Sequence, residues 1–195
     1  MNRFVLDRRI PAGRVTLRAI GSDDFADVHA YMGREDVATW LLEDAYTLEE
    51  SVAKHPTYAE RNRFEEDGDL ILLAIEYEGR LIGDLDFTAT SIEGGLVEIG
   101  WRLHPDWQGR GLATEAATGL LDLAFGDVGA RRATASLDPR NHASAALCER
   151  LGMRREAHHV QDMWFKGGWA DTYVYAVLAT EWWARRQGAE RLSEG

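Results

Sequence analysis

Three short patterns in this chain carry residue types with chemistry to offer. The first is Gln108-Gly109-Arg110-Gly111-Leu112-Ala113, which runs straight into a helical pattern. Amides in the first turn of a helix have no partner within it, and Gly111 lets backbone approach an anion without a Cβ in the way. Arg110 can add charge. The spacing is not G-x-G-x-x-G, and no Gly-Lys-Ser/Thr closes it, so neither a dinucleotide fingerprint nor a P-loop is present. An ordinary helix start after a turn would use the same residues.

The second pattern is Asn141, Ser144 and Cys148, at i, i+3 and i+7 on one helix face, with Asn141 a good N-cap. A hydroxyl can donate or accept a hydrogen bond but cannot serve unaided as a base at neutral pH. No Ser-His-Asp arrangement lies nearby, so nothing local marks Ser144 as a nucleophile, and a plain helix residue would read the same. Cys148 reads as a packed thiol rather than a nucleophile. The third is Glu98, a carboxylate that could take up a proton or pair with Arg102 on the same strand face. Glu156, and one of His158 and His159, are further bases to weigh. No histidine spacing of the H-x-x-x-H or H-E-x-x-H kind occurs, so no metal site is expected.

These residues need elements to hold them. Val97, Ile99, Trp101 and Leu103 alternate with Glu98, Gly100 and Arg102 as a strand, stopped at His104-Pro105-Asp106. Leu112, Ala116, Leu120 and Ala124 then make one apolar helical face. Arg131–Leu137 reads as a strand that should lie parallel to 96–103 by the crossover rule. Asn141 opens a short helix over 142–150, closed by Gly152.

Upstream, Arg14–Ile20 reads as a strand, 22–24 as a cap and 25–32 as a helix. A second helix starts at the capping box Thr47-x-x-Glu50, with Pro56 expected to kink or break it. Tyr58–Glu66 reads as polar and exposed. Residues 69–78 and 81–90 form a hairpin around Glu78-Gly79-Arg80, and 92–95 is a turn. Downstream, 153–165 and 169–178 are two strands joined by Lys166-Gly167-Gly168. Thr180–Gln187 is a short helix, with a tail expected to fray. The order β-α-α-β-β-β-α-β-α-β-β is an α+β sheet wrapped by helices.

A length of 195 residues suits one domain, with no boundary to draw inside it. Apolar content of 45% and charged content of 28% are those of a soluble globular protein. No apolar run approaches membrane-spanning length and the N-terminus lacks a secretory h-region, so no membrane is expected and the cytoplasm is the default location. One cysteine cannot staple the chain. A net charge of −11 without a basic patch argues against nucleic acid and leans toward cationic partners.

Read as Gln-x-x-Gly-x-Ala, the 108–113 turn resembles the acyl-CoA pyrophosphate loop of the GCN5-related N-acetyltransferase (GNAT) superfamily. Asn141-x-x-Ser144-x-x-Leu147-x-x-x-Leu151-Gly152-Met153 resembles the second cofactor motif of its RimJ/RimL branch, the ribosomal-protein alanine acetyltransferases. The two motifs fall in the family's order, about thirty residues apart, and the resemblance covers roughly 14–185. Trp107-Gln108 matches the branch, while Met153 stands where members often carry Phe.

The resemblance implies the GNAT acyl-CoA N-acyltransferase fold: α+β, with a mixed, mostly antiparallel central sheet flanked by helices. It implies acetyl-CoA as co-substrate, direct acetyl transfer to a primary amine on a protein N-terminus or small molecule, and homodimerisation as a common state. It also implies cofactor contacts at Trp101, Arg102, Leu103, Gln108, Gly109, Arg110, Gly111, Leu112, Ala113, Asn141 and Ser144. An oxyanion donor falls near the Leu103 N–H, with Ser144 as acid for the thiolate and Glu98 as leading base.

The acceptor is unmarked in the sequence, since 32–67 matches nothing specific. Antibiotic modification is an alternative, with Glu43, Asp44, Glu65, Glu66 and Asp67 as an acidic covering segment or simply a solvated face. A non-catalytic acyl-CoA sensor is another. Trp164 and Trp169 are candidates to line the acceptor pocket, while Trp40, Trp107, Trp182 and Trp183 read as core or lid.

Overall fold

The computed structural model of the protein describes residues 1–193. Its strands are β1 (Phe4–Val5), β2 (Ile10–Ala12), β3 (Val15–Ala19), β4 (Arg63–Phe64), β5 (Leu70–Tyr77), β6 (Arg80–Ser91), β7 (Leu96–Leu103), β8 (Arg132–Leu137), β9 (Arg154–Phe165) and β10 (Gly168–Leu178). Its helices are α1 (Phe25–Met32), α2 (Glu35–Ala38), α3 (Leu48–Glu60), α4 (Leu112–Phe125), α5 (His142–Arg150) and α6 (Ala179–Ser193). Eight strands form one sheet in the order β2-β3-β5-β6-β7-β8-β10-β9. Every neighbouring pair is antiparallel except β7 and β8, whose α4 crossover makes them parallel. The sheet is thus mixed, mostly antiparallel and α+β.

Alternation along the central strands gives each face its own core. Leu85, Phe87, Val97, Ile99 and Leu103 point to the side covered by α4 and α5, where Leu112, Leu120 and Leu147 meet them. α4 approaches closely because Gly119 has no side chain; a Cβ there would lie 2.4 Å from that of Ala12. On the other face Leu72, Ala74 and Leu81 pack under α1 and α3, against Tyr31, Tyr46 and Tyr58.

Several elements differ from the sequence reading. α3 runs through Pro56, which is exposed, and the Thr57 hydroxyl donates to the Lys54 carbonyl at 2.7 Å. Its capping box forms as expected, with Glu50 N–H donating to Thr47 Oγ1 and Thr47 N–H to Glu50 Oε2. The 58–66 stretch is not uniformly exposed: Tyr58 is buried, and Phe64 reaches the core edge-on to Phe87. The N-terminal strands β1 and β2 and the short α2 were not marked by the sequence pattern. α6 continues helical to Ser193, past the expected end at Gln187; residues 194 and 195 lie outside the described residues. No helix among the described residues is long and apolar enough to cross a membrane.

Candidate active site

The parallel ladder between β7 and β8 ends early, at Glu98 opposite Thr134. Beyond that point β7 continues to Leu103 without a partner on this side, while its other edge stays paired with β6. The His104 N–H donates to Ile82 O at 2.9 Å. Antiparallel alternation therefore turns the N–H groups of Trp101 and Leu103 the opposite way, into the gap. A strand edge with free amides faces an opening in the middle of the sheet.

One wall of that opening leads to a cleft of about 810 Å³ lined by the 108–115 loop, the end of β7 and the start of α5. Gly109 and Gly111 adopt φ +74° and +81°, which residues with a side chain rarely take. This left-handed path leaves the amides of Gly109, Arg110, Gly111, Leu112 and Ala113 without an intrachain acceptor among the described residues.

Gln108 differs from the expectation. Its backbone N–H donates to Pro105 O at 3.1 Å and its side-chain amide to Leu103 O at 3.0 Å. Gln108 shapes the loop and pins it to β7 rather than offering a free donor. The Arg110 guanidinium lies over the Trp107 ring, 4.8 Å from its centroid.

Arg14 went unmarked in the sequence. It donates to the Arg110 carbonyl at 2.7 Å and pairs with Glu115 in the first turn of α4. The pair neutralises an acid beside a group of anion-seeking amides. Nothing in the sequence around Arg14 signals this, because the contact spans nearly a hundred residues.

The short α5 behaves as its sequence suggests. Asn141 Oδ1 accepts the Ser144 N–H at 3.1 Å and caps the helix. A further bond comes from β7, where Trp101 Nε1 donates to Ser144 Oγ at 3.1 Å. The indole occupies a lone pair, so the hydroxyl's own proton stays available to a third group. Cys148 is fully buried, and burial pushes its thiol up to about 12. Almost none of it is thiolate at neutral pH, in keeping with a packed thiol.

A second cleft, of about 590 Å³, opens on the other face of the sheet between α3, the 40–46 segment and the β9–β10 hairpin. Glu98 lies on its floor, half-buried and with no ion pair among the described residues. Arg102 does not pair with Glu98 but with Asp84 and Asp86 across the β6 register, at 2.5 and 2.8 Å. Asp84 is fully buried and also accepts the Tyr31 hydroxyl. Burial raises the Asp84 carboxyl above its ordinary range, against the pull of the Arg102 charge, while Arg102 itself stays protonated. Two aspartates on a strand beside Leu85 and Phe87 were the readable sign of this buried network. Arg102, Trp40 and Leu41 line both clefts, so the two meet there.

The remaining candidates lie elsewhere. Glu156 pairs with Arg132 and Arg154 and borders neither cleft. His158 is bonded to Asp171 at 2.7 Å, and Thr172 stands opposite His159. Alternation on β9 turns Met163 and Phe165 into the second cleft, while Trp164 packs edge-on against Trp169 at 5.5 Å, both largely exposed. Of the acidic covering residues only Glu43 lines that cleft; Asp44 pairs with Lys166, and Asp67 accepts the Ile92 N–H. Lys166, at the hairpin tip, also donates to the carbonyls of Ala38 and Glu43 at 2.7 and 3.0 Å, tying the hairpin to the covering segment. Among the described residues no cluster of His, Cys, Asp and Glu is placed to hold a metal ion.

Comparison with known proteins identifies relatives of this chain among acetyltransferases. Residues 14–154 match the family model described as "Acetyltransferase (GNAT) domain". The chain is 28% identical to the uncharacterized N-acetyltransferase YnaD of Bacillus subtilis, across 89% of this chain and 98% of that one. A crystal structure of a GNAT-family acetyltransferase from Bacillus anthracis superposes with a TM-score of 0.79 at 28% identity, covering 89% of this chain and all of the other. Spermidine N-acetyltransferase from Vibrio cholerae, crystallised with CoA and spermine, shares the fold with a TM-score of 0.75 at 19% identity, covering 87% and 98%.

Proposed function

The chain belongs to the GNAT acetyltransferase family and is an N-acetyltransferase, and on that premise we propose that it moves an acetyl group from acetyl-CoA to a primary amine by direct transfer. The observation that carries this reading is the shared wall of one cleft: free amides at 109–113, the unpaired edge of β7, and the Ser144 hydroxyl. Five amides, the positive end of α4 and Arg110 suit a pyrophosphate. The open edge of β7 suits an amide-bearing arm that pairs as a strand would. The bound thioester supplies an electrophilic carbonyl with a weakly basic leaving group.

Each residue then has a defined task. The Leu103 N–H faces the gap and stabilises negative charge developing on the carbonyl oxygen. Glu98, on the opposite face of the sheet, accepts a proton from the attacking amine directly or through water. As the new C–N bond forms and the C–S bond breaks, Ser144 donates its proton to the thiolate and regains one from solvent. Trp101 orients that hydroxyl by holding its lone pair. Acid and base thus approach from opposite faces of one sheet. Asn141, Ser144, Leu147 and the Leu151-Gly152 turn favour the RimJ/RimL branch, with all 195 residues as one domain.

The test is acetyl-CoA binding by calorimetry together with thiol release against N-terminal peptides, polyamines, aminoglycosides and amino acids. Binding in the micromolar range with release on adding an amine is the expected result. A protein that bound no acetyl-CoA would overturn the assignment, and tight binding without release from any amine would favour a sensor.

A further inference from the structure

The second cleft differs from a plain amine pocket in its charges. Five carboxylates border it, but three are already satisfied: Asp86 by Arg102 at 2.8 Å, Asp138 by Arg140, and Asp171 by His158 and the Gln161 N–H. Two cations remain without an ion pair among the described residues, Lys54 and Arg61. They sit at i and i+7 on α3 and its C-terminal cap, with Tyr58 between them, so they share the face that looks into the cleft. Lys54 Nζ rests over the Tyr46 ring, 4.0 Å from its centroid, which holds the ammonium against the cleft's apolar wall.

Register gives the span between these cations and Glu98. The Leu72 N–H donates to the Arg61 carbonyl at 2.9 Å, and Leu72 faces Asp86, which faces Gly100, next but one to Glu98. Three such spacings separate the Arg61 backbone from Gly100, about 14 Å, and the two residues along β7 to Glu98 add an offset of about 7 Å. A guanidinium on its own stem shortens that to the length of a few bonds in a ligand.

Resting on the proposed acetyl transfer, we infer that the acceptor is an amine that also bears an acidic group a few bonds away, with the amine at Glu98 and the acid at Arg61 and Lys54. A free amino acid supplies that pair through its own carboxylate, and a peptide N-terminus through an acidic side chain just after it. A polyamine supplies only further cations, which Lys54 and Arg61 repel.

The experiment uses the full chain, acetyl-CoA and matched amines: Ala-Glu amide against Ala-Gln amide, leucine against leucinamide, and spermidine, with rates expressed per neutral amine. The expected result is a kcat/KM at least about tenfold higher for an acid-bearing member than for its uncharged partner, in line with one charge-assisted contact. Which pair shows it distinguishes the peptide from the amino acid. Arg61→Gln combined with Lys54→Gln should collapse that ratio toward one, chiefly through KM, in a protein whose melting curve and CoA binding are retained. Equal or better use of the uncharged partners or of spermidine overturns the inference, as does a ratio the double variant leaves intact. A protein that binds CoA but transfers to neither acid-bearing amine overturns it too. Absence of CoA binding would instead strike the proposed function itself.

Discussion

The two clefts on either side of β7 are built in different ways. The one facing α4 and α5 draws its chemistry from two short stretches, 101–115 and 141–150, and offers mostly backbone. The one facing α3 gathers single side chains from α3, the covering segment, β6, β7, β8 and both strands of the hairpin. Backbone recognition of an anion demands positive φ and a free helix start, and those demands put glycines at fixed spacing. Side-chain recognition of an amine demands only a few charges in the right places, which any segment can deliver. The first side is therefore specified locally and the second by assembly.

Substitutions can separate the two sides. Gly111→Asp should have the largest effect, because it puts a side chain at φ +81° and a negative charge among the anion-seeking amides. Acetyl-CoA affinity measured by calorimetry should fall at least about 100-fold, two decades of about 1.4 kcal/mol each. Unchanged affinity would remove the loop from the donor side.

Ser144→Ala should lower kcat by about 100-fold while leaving acetyl-CoA affinity in place, and Trp101→Phe should lower it by about tenfold through the lost indole bond. Joint loss of turnover and binding would make Ser144 a structural residue. Glu98→Gln should act from the other face, with slower transfer at saturating acceptor and no change in acetyl-CoA affinity. If acetyl-CoA affinity fell as well, the two sides would not be separable at β7.

The smallest effect concerns the charged cluster joining β3, β5 and the turn before α1. Arg18 bonds Asp24 and Glu76 at 2.6–2.8 Å. Arg9 and then Arg18 hold the Glu76 carboxyl below the usual carboxylate range. Burial pushes Asp24 up, but Arg18 and the Gly21 N–H outweigh it, so Asp24 too lies below its ordinary value. Carboxyls lowered by folding contribute stability above their unfolded pKa, about 4, and lose it as pH falls through the folded values. The melting temperature should hold steady from pH 7 to about 5 and drop below about 4. Arg18→Gln should lower it at pH 7 and flatten the acid limb; an unaltered limb would show that these pairs are not its source.

Much of the cleft facing α4 and α5 was legible because its physics is local. Gly111, the α4 start, the Asn141 cap and the alternation through Leu103 each follow from neighbours in sequence, and the structure places them as that reading expects. The partners of those residues were not legible. Trp101 meets Ser144, Arg14 holds the Arg110 carbonyl, and Arg102 turns to Asp84 and Asp86 rather than to Glu98, each across strand pairings that no local window contains. In the cleft facing α3, Trp164 and Trp169 are not among the lining residues. Trp164 is as apolar as its neighbours Met163 and Phe165, and only the pairing of β9 with β10 decides which of them faces the cleft.

By itself the sequence determined the order of elements, the glycine-bearing turn into α4 and the hydroxyl-bearing face of α5, because periodicity, capping and positive φ are properties of neighbouring residues. Only the tertiary structure decided that β7 and β8 part after Glu98, that Glu98 and Ser144 lie on opposite faces of the sheet, and that Lys54 and Arg61 line the same cleft as Glu98. Those facts depend on register and on packing between distant segments. A side chain's contacts across a sheet are fixed by the strand it is paired with, not by the residues beside it in the chain.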